Sequence, residues 1–270
     1  MTTKNSSNAA KMKPGRAKRD GAFTLLELLA VIATISTLAA LLLPVLGKAK
    51  TKALQTNCSA NVHQLGLAWR MYHEENAGWL VESYPFNNSN VWVLGDMTHV
   101  NEATNTDLIK AGKLFAFNRN ASIYRCPADP GVEFEGARVI NVRSYSMNSF
   151  MGGRPPGAPI IPATAAAVVP YFAKESEIPR PSENWVFIDE DQRSINDGFF
   201  IVDPMGRIWF DFPALSASRH NYGFSLTFAD GHSEAWRSHD VRSRSVEHSE
   251  TEQTGNTDLL RLARGASSPK

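Results

Sequence analysis

The sequence predicts an α+β protein, a long N-terminal α-helix packed on an antiparallel β-sheet head. Three observations predict it. Residues 23–46 form an apolar run with one charge, Glu27. A stripe of helical spacing carries the pattern on to Tyr72. Beyond it, short apolar runs alternate with turn residues, the pattern of strands joined by loops.

The chain has 270 residues, 28 Lys+Arg, 27 Asp+Glu and 43% hydrophobic residues. That is ample for a sizeable core and too apolar for a disordered chain. The formal net charge of +1 is unevenly spread. Residues 1–22 hold six Lys or Arg against Asp20 alone, so the rest of the chain carries −4. A basic head on a mildly acidic body reads as a targeting segment. Without a long basic run in the body, nucleic acid is not an expected partner.

As a helix, the apolar run spans about 36 Å at roughly 1.5 Å per residue, enough to cross a hydrocarbon core of ~30 Å. It is longer than a secretory apolar segment of about 7–15 residues. The basic residues before it outnumber Lys48, Lys50 and Lys52 after it. This bias predicts a single-pass inner-membrane protein with a cytoplasmic N-terminus and an exported, periplasmic or extracellular body. A plain signal anchor meets the same facts, but it does not explain Glu27. A carboxylate at the centre of a membrane helix costs about 2.5–3.5 kcal/mol and usually marks a function.

The stretch Phe23-Thr24-Leu25-Leu26-Glu27 resembles the processing site of type IV pilins and type II secretion pseudopilins. The resemblance implies that a prepilin peptidase/methyltransferase cuts between Ala22 and Phe23 and methylates the new Phe23 amine. It implies that Glu27 pairs with the Phe23 amine of a neighbouring subunit in a filament core. Pro44 matches the family's helix-interrupting proline. The family normally has Gly before the cut. This chain has Ala22, with Gly21 one place earlier, so a slower cut or a cut after Gly21 stays open.

Leu54, Cys58, Val62, Leu65, Trp69 and Tyr72 step by three or four and form one amphipathic face. The spacing predicts a helix of about 50 residues, roughly 80 Å, whose second half is covered by the head. Gly47 adds local flexibility, and Asn76-Ala77-Gly78 supplies the stop. From Asn57-Cys58 onward the chain is also similar to exported prepilin-type, processing-associated proteins with an H-x9-DG motif. The matching blocks are Asn61, Gln64-Leu65-Gly66, Tyr124-Arg125-Cys126-Pro127-Ala128-Asp129, Ser144-Tyr145-Ser146-Met147-Asn148 and Ser194-Ile195-Asn196-Asp197-Gly198. The motif itself is His220, nine residues, then Asp230-Gly231.

On the exported side of a membrane, Cys58 and Cys126 can persist as a disulfide, worth on the order of 4 kcal/mol. Two unpaired buried thiols are the alternative, and a zinc site would need ligands that the spacing does not supply. Asp189, Asp191, Asn196 and Asp197 concentrate oxygen ligands of the kind calcium takes. Calcium is the one candidate cofactor, and the major pseudopilins that this chain resembles carry a calcium loop in the head. The spacing is not that of an EF-hand, since Arg193 stands where an oxygen is expected, and a solvated acidic turn is the alternative.

Short apolar runs at 91–94, 185–188, 199–202 and 208–212 predict strands. Tyr222, Phe224, Leu226 and Phe228 alternate with small or polar residues, which predicts a half-buried strand. Asp230-Gly231 then turns a hairpin, and residues 232–236 return. An extended strand would separate His220 from Asp230 by about 33 Å, so the motif is read as structural. Five prolines in 154–170 predict an irregular loop. Asn256 or Thr257 is the expected cap of a short helix in a polar tail, with residues 265–270 fraying.

The organisation predicted is thus a leader at 1–22, a transmembrane or filament-core helix at 23–46, its amphipathic continuation at 47–76, an exported head at 77–246 and a polar tail at 247–270. No nucleophile elbow, phosphate loop or zinc-protease helix is present, so no enzyme activity is expected. The expected function is that of a structural pseudopilin assembled with other pilin-like subunits into a type II secretion or type IV pilus-like filament. The alternative is a membrane-anchored module that binds polysaccharide or another extracellular ligand.

Overall fold

The computed structural model describes residues 24–84, 90–153, 170–217 and 219–267. The chain divides into two compact units, Met1–Gly47 and Lys48–Lys270. The leader and the cut between Ala22 and Phe23 lie outside the described residues, as does most of the proline-rich stretch.

Helix α1 (Leu25–Glu75) contributes to both units. In the first unit its apolar side chains are uncovered: Leu41, Leu42 and Leu43 are 68%, 65% and 67% exposed. By length and composition this part can cross a membrane. Its start is closed by a reciprocal cap. The Thr24 backbone N–H and hydroxyl both donate to Glu27 Oε2 (2.9 Å each), and the Glu27 N–H donates to Thr24 Oγ1 (3.2 Å). This is the capping box that Thr-x-x-Glu encodes. Pro44 sits inside the helix, which continues through it.

In the second unit the stripe predicted from spacing is buried from Cys58 to Tyr72. The helix ends on Ala77 and Gly78, both with positive φ (55° and 80°). The Gly78 N–H closes the end on the His73 carbonyl at 2.8 Å. Short helices α2 (Val100–Ala103), α3 (Thr106–Ala111) and α4 (Phe115–Asn118) follow, and α5 (Thr257–Ala266) ends the fold. The strands are β1 (Val132–Phe134), β2 (Ala137–Val139), β3 (Tyr145–Asn148), β4 (Trp185–Asp189), β5 (Phe199–Phe200), β6 (Ile208–Trp209), β7 (Gly223–Phe228), β8 (Ser233–Arg237) and β9 (Thr251–Glu252).

The central sheet has the order β5-β3-β4-β7-β8. It is mixed rather than purely antiparallel, because β5 runs parallel to β3. The chain reverses after β4, so β5 points the way β3 does, and it is placed on the free edge of β3. β1–β2 and β6–β9 form separate two-stranded ribbons.

Both faces of the sheet are covered, which the half-buried reading of β7 missed: all six of its residues are buried. Gly223, Ser225 and Thr227 face α1. Ser225 Oγ lies 2.9 Å from Ser59 Oγ, and a Cβ on Gly66 would stand 2.5 Å from Thr227 Oγ1. Small and polar residues thus let the helix come close to the strand. Phe224, Leu226 and Phe228 point the other way, into a core with Trp185, Leu259 and Leu262. A bulge between Trp185 and Phe187 places Val186 and Phe187 in the α1-side core and Trp185 in the opposite one.

Four expectations are corrected. Residues 91–94 form no strand; Val91 makes one isolated bridge to Glu82, because Trp92 is held by packing and by its indole N–H on the Gly198 carbonyl (2.6 Å). The runs at 199–202 and 208–212 shorten to the two-residue strands β5 and β6. The polar tail is part of the head: Leu259 and Leu262 of α5 are buried in the core. Gly265 and Ala266 do not fray but lie against Trp185 and Asn148, whose amide donates to the Ala266 carbonyl at 2.8 Å.

Candidate functional site

Three of the sequence blocks converge in one buried polar cluster between α1 and the sheet. Cys58 comes from the buried face of α1. Cys126 follows a 3-10 turn (Ala121–Tyr124) and precedes Pro127, and its N–H donates to Ser144 Oγ at 3.1 Å. The two cysteines form a disulfide, with S–S 2.07 Å and Cα–Cα 5.1 Å. His220 Nε2 lies 3.0 Å from each sulfur. Asp189, the last residue of β4, faces the same point on the α1 side. Its Oδ2 stands 3.5 Å from His220 Nε2 and accepts no hydrogen bond among the described residues.

Beyond Asp189 lies a fully buried arginine. Arg219 donates to Asp189 Oδ1 and to the Glu190 carbonyl (2.7 Å), and stands 3.5 Å from Asp129. Asp129 also accepts from Ser144 Oγ, from the Asn141 amide (3.3 Å) and from the Gly131 N–H (2.9 Å). Burial works to raise the Asp129 carboxyl, but Arg219 and these donors together hold it below the usual range. Burial likewise opposes the Arg219 charge, and Asp129 and Asp189 overcome it. The Tyr145 hydroxyl is pushed well up by burial and by Asp189. This is an ionic network beside the sulfur atoms in which Asp189 Oδ2, Arg219 Nε, His220 Nδ1 and Asn141 Oδ1 have no hydrogen-bond partner among the described residues.

His220 reaches the cluster through an uncommon backbone. His220, Asn221 and Tyr222 have φ of 54°, 53° and 62°, three consecutive left-handed residues. His220 and Tyr222 each cost roughly 1–2 kcal/mol there relative to an ordinary conformation, whereas asparagine tolerates it. Such strain persists where the surroundings over-determine it, typically at a functional element. The turn also corrects the expectation of an extended strand from His220. β7 begins only at Gly223, and the imidazole points back to the disulfide.

The other half of the motif is structural. Asp230 Oδ1 accepts the His232 N–H (3.1 Å), and the Asp230 carbonyl accepts Arg70 Nη1 (2.8 Å). Gly231 has φ 94°, and a Cβ there would meet Arg70 Nη1 at 2.9 Å. Asp230-Gly231 thus shapes the β7–β8 turn against α1, apart from the sulfurs.

Comparison of the chain with protein-family models, with curated proteins and with solved structures yields no match. The site is defined by its own geometry.

The four residues considered for calcium are not gathered at one point. Asp189 belongs to the disulfide cluster. Asp191 is taken by Arg193 in a two-pronged pair (2.8 and 3.1 Å). Asn196 Oδ1 accepts the Asp197 N–H (2.6 Å), and Asp197 Oδ1 accepts the Phe199 N–H (3.1 Å). Arginine thus engages both oxygens of Asp191, and the local turn engages Asn196 Oδ1 and Asp197 Oδ1. Among the described residues, the group with metal-ligating atoms close together is Cys58, Cys126, Asp189 and His220, all buried, with those atoms within 4.8 Å of one another. Sequence reasoning paired Cys58 with Cys126, singled out His220 separately and assigned Asp189 to a different loop. Arg219 it missed, because an arginine beside a motif residue is normally solvent-facing.

Proposed function

We propose that this chain is a pilin-like structural subunit, a pseudopilin, processed before Phe23 and assembled with other such subunits in a filament of the cell envelope. One observation carries the reading. Residues 25–46 of α1 leave their apolar side chains uncovered, while the stripe from Cys58 onward is buried by the head. An exposed apolar surface of this extent needs a membrane or neighbouring helices to cover it. Glu27 within it supplies a single negative charge where a free Phe23 amine would be adjacent. The membrane is the inner membrane, with the N-terminus cytoplasmic and the head exported.

The reading as a carbohydrate-binding module is less well supported. Trp69, Trp92, Trp185, Trp209 and Trp236 are buried, and the exposed Trp79 is covered by the Lys174 ammonium, 4.4 Å from the ring centre. Stacking platforms for sugars are therefore scarce among the described residues.

Mass spectrometry of the native protein tests the proposal. The expected mature chain begins at Phe23 and carries one added methyl group on its amine. A chain that keeps residues 1–22 in the membrane fraction overturns it.

A further inference from the structure

We propose that Cys58, Cys126, His220 and Asp189 form a four-ligand site for a thiophilic divalent cation of the zinc class when the two cysteines are reduced. The inference goes beyond the filament reading and does not depend on it.

The donor set is the first argument. Two thiolates, an imidazole and a carboxylate are all established zinc donors, and structural zinc sites are four-coordinate and closed to solvent. All four residues here are fully buried. Their ligand atoms lie within 4.8 Å of one another. Tetrahedral coordination at zinc bond lengths needs separations of about 3.3–3.8 Å, so the two sulfurs, bonded in the disulfide, must separate on reduction while side-chain adjustments close the longer gaps.

Unsatisfied atoms are the second argument. Asp189 Oδ1 is engaged by Arg219, while Oδ2 accepts no hydrogen bond among the described residues and stands 3.5 Å from His220 Nε2. A buried carboxylate oxygen without a donor is costly, and a cation would satisfy it. The arginine on the other oxygen is the outer-shell partner that orients a ligating carboxylate. The strained turn at 220–222 is the third argument, since it holds Nε2 on the sulfurs at a backbone cost.

Binding is a simple exchange. Two S–H bonds break, two sulfur–metal bonds form, and two protons leave to water; no electrons move. One divalent ion replaces two protons, so the charge of the buried cluster is unchanged and Arg219 needs no new counter-ion. The disulfide is the same pair of thiols after loss of two electrons and two protons. Returning from it to the metal-binding form takes two electrons and two protons, both supplied by a dithiol that becomes a disulfide, or by a phosphine and water that become the phosphine oxide. Disulfide and metal are thus alternative closures of one staple between α1 and the sheet.

The test uses the full chain in detergent, reduced anaerobically with a phosphine, with cobalt(II) as the probe. One cobalt per chain is expected, with thiolate-to-cobalt charge-transfer absorption and the strong visible bands of tetrahedral coordination, both lost when zinc is added. X-ray absorption of the zinc-loaded chain should show two sulfur and two nitrogen or oxygen neighbours. Asp189→Asn and His220→Asn should each weaken binding by more than the roughly 10–100-fold that an outer-shell loss costs. Asparagine is chosen at 220 because it tolerates left-handed φ. Circular dichroism reports folding, so a variant that fails to fold leaves the other variant and the coordination shell to decide. The proposal is overturned if the reduced chain takes up no stoichiometric cobalt, folded or during refolding. It is equally overturned by a shell lacking two sulfurs, or by folded variants that bind as tightly as the parent chain.

Discussion

Gly66 and Thr227 set the distance between helix and sheet. A Cβ on Gly66 would lie 2.5 Å from Thr227 Oγ1 and 3.1 Å from Thr227 Cγ2, so Gly66→Ala forces the strand away or the threonine out of place. Alanine gains about 1 kcal/mol of helix propensity and overpacking costs about 1–3 kcal/mol, so we expect a net loss of up to about 2 kcal/mol. Adding Thr227→Ala should recover part of that loss, although it removes the hydrogen bond of Thr227 Oγ1 to the His232 carbonyl. Urea denaturation of the four chains of this cycle measures the coupling; additive losses would show that the two residues do not meet. Buried carboxylates act at the same scale. Burial raises Asp211 to about 8, while an unfolded Asp titrates near about 3.9. Between those values the folded chain holds a proton that the unfolded chain has released, so this group's contribution to stability is complete below about pH 4 and is lost as pH rises towards 8. Asp129, held low, acts in the opposite sense: its contribution is present above about pH 4 and lost in stronger acid. Asp211→Asn can still accept the Ile201 N–H, which Asp211 Oδ2 now accepts at 2.6 Å. Melting temperatures at pH 5 and pH 8 should therefore fall less in Asp211→Asn than in the parent, and parallel declines would contradict the assignment.

Each element was legible from sequence in proportion to how local its cause is. The stripe of α1, the stop at Ala77 and Gly78, and β7 with its return strand follow from spacing and turn residues within a few positions. The capping box is equally local, written in Thr24 and Glu27. The parallel pairing of β5 with β3 was not legible, because a strand's partner is a tertiary choice. Nor was the buried cluster of Cys58, Cys126, Asp189 and His220, whose sulfur and imidazole on Cys58 and His220 are separated by 162 positions. Helix α5 lies between these cases. Its cap was readable: Asn256 accepts the N–H groups of Asp258 (2.9 Å) and Leu259 (3.1 Å). Its burial was not, because three leucines in a polar stretch do not reveal that Trp185 awaits them. The Asp258 carboxylate gathers Ser238 Oγ (3.0 Å), Ser243 Oγ (2.7 Å) and the N–H groups of His239 and Asp240, so the helix start also anchors the preceding loop. Asn256→Ala should cost about 2 kcal/mol, the upper end for a cap, because Asn256 is buried and also bonded to Ser243 and Gln253. Hydrogen exchange should accelerate in α5 and in residues 238–243 together; acceleration confined to the first turn of α5 would show that the loop is held by other means.

At the scale of the whole molecule, the single chain and the proposed filament place different demands on Glu27. Within its own chain Glu27 is a helix cap, accepting from the Thr24 N–H and hydroxyl. In the proposed filament it is instead the counter-ion of a neighbour's Phe23 amine. Substitution by alanine removes both roles and cannot separate them. Glutamine separates them, because a Gln at the third helical position still serves a capping box while carrying no charge. A plain anchor gains from either substitution, since an uncharged residue is cheaper to insert than a carboxylate. If Glu27 neutralises an amine between subunits, Glu27→Gln leaves an unpaired cation among apolar helices, a cost of several kcal/mol per subunit that repeats along the filament. We therefore expect Glu27→Gln and Glu27→Ala to be processed and inserted like the parent, and both to abolish recovery of filaments sheared from the envelope. In detergent, only Glu27→Ala should show fraying of the first turn by hydrogen exchange. Filament recovery from Glu27→Gln equal to that of the parent would reduce Glu27 to its capping role and remove the charge argument for assembly.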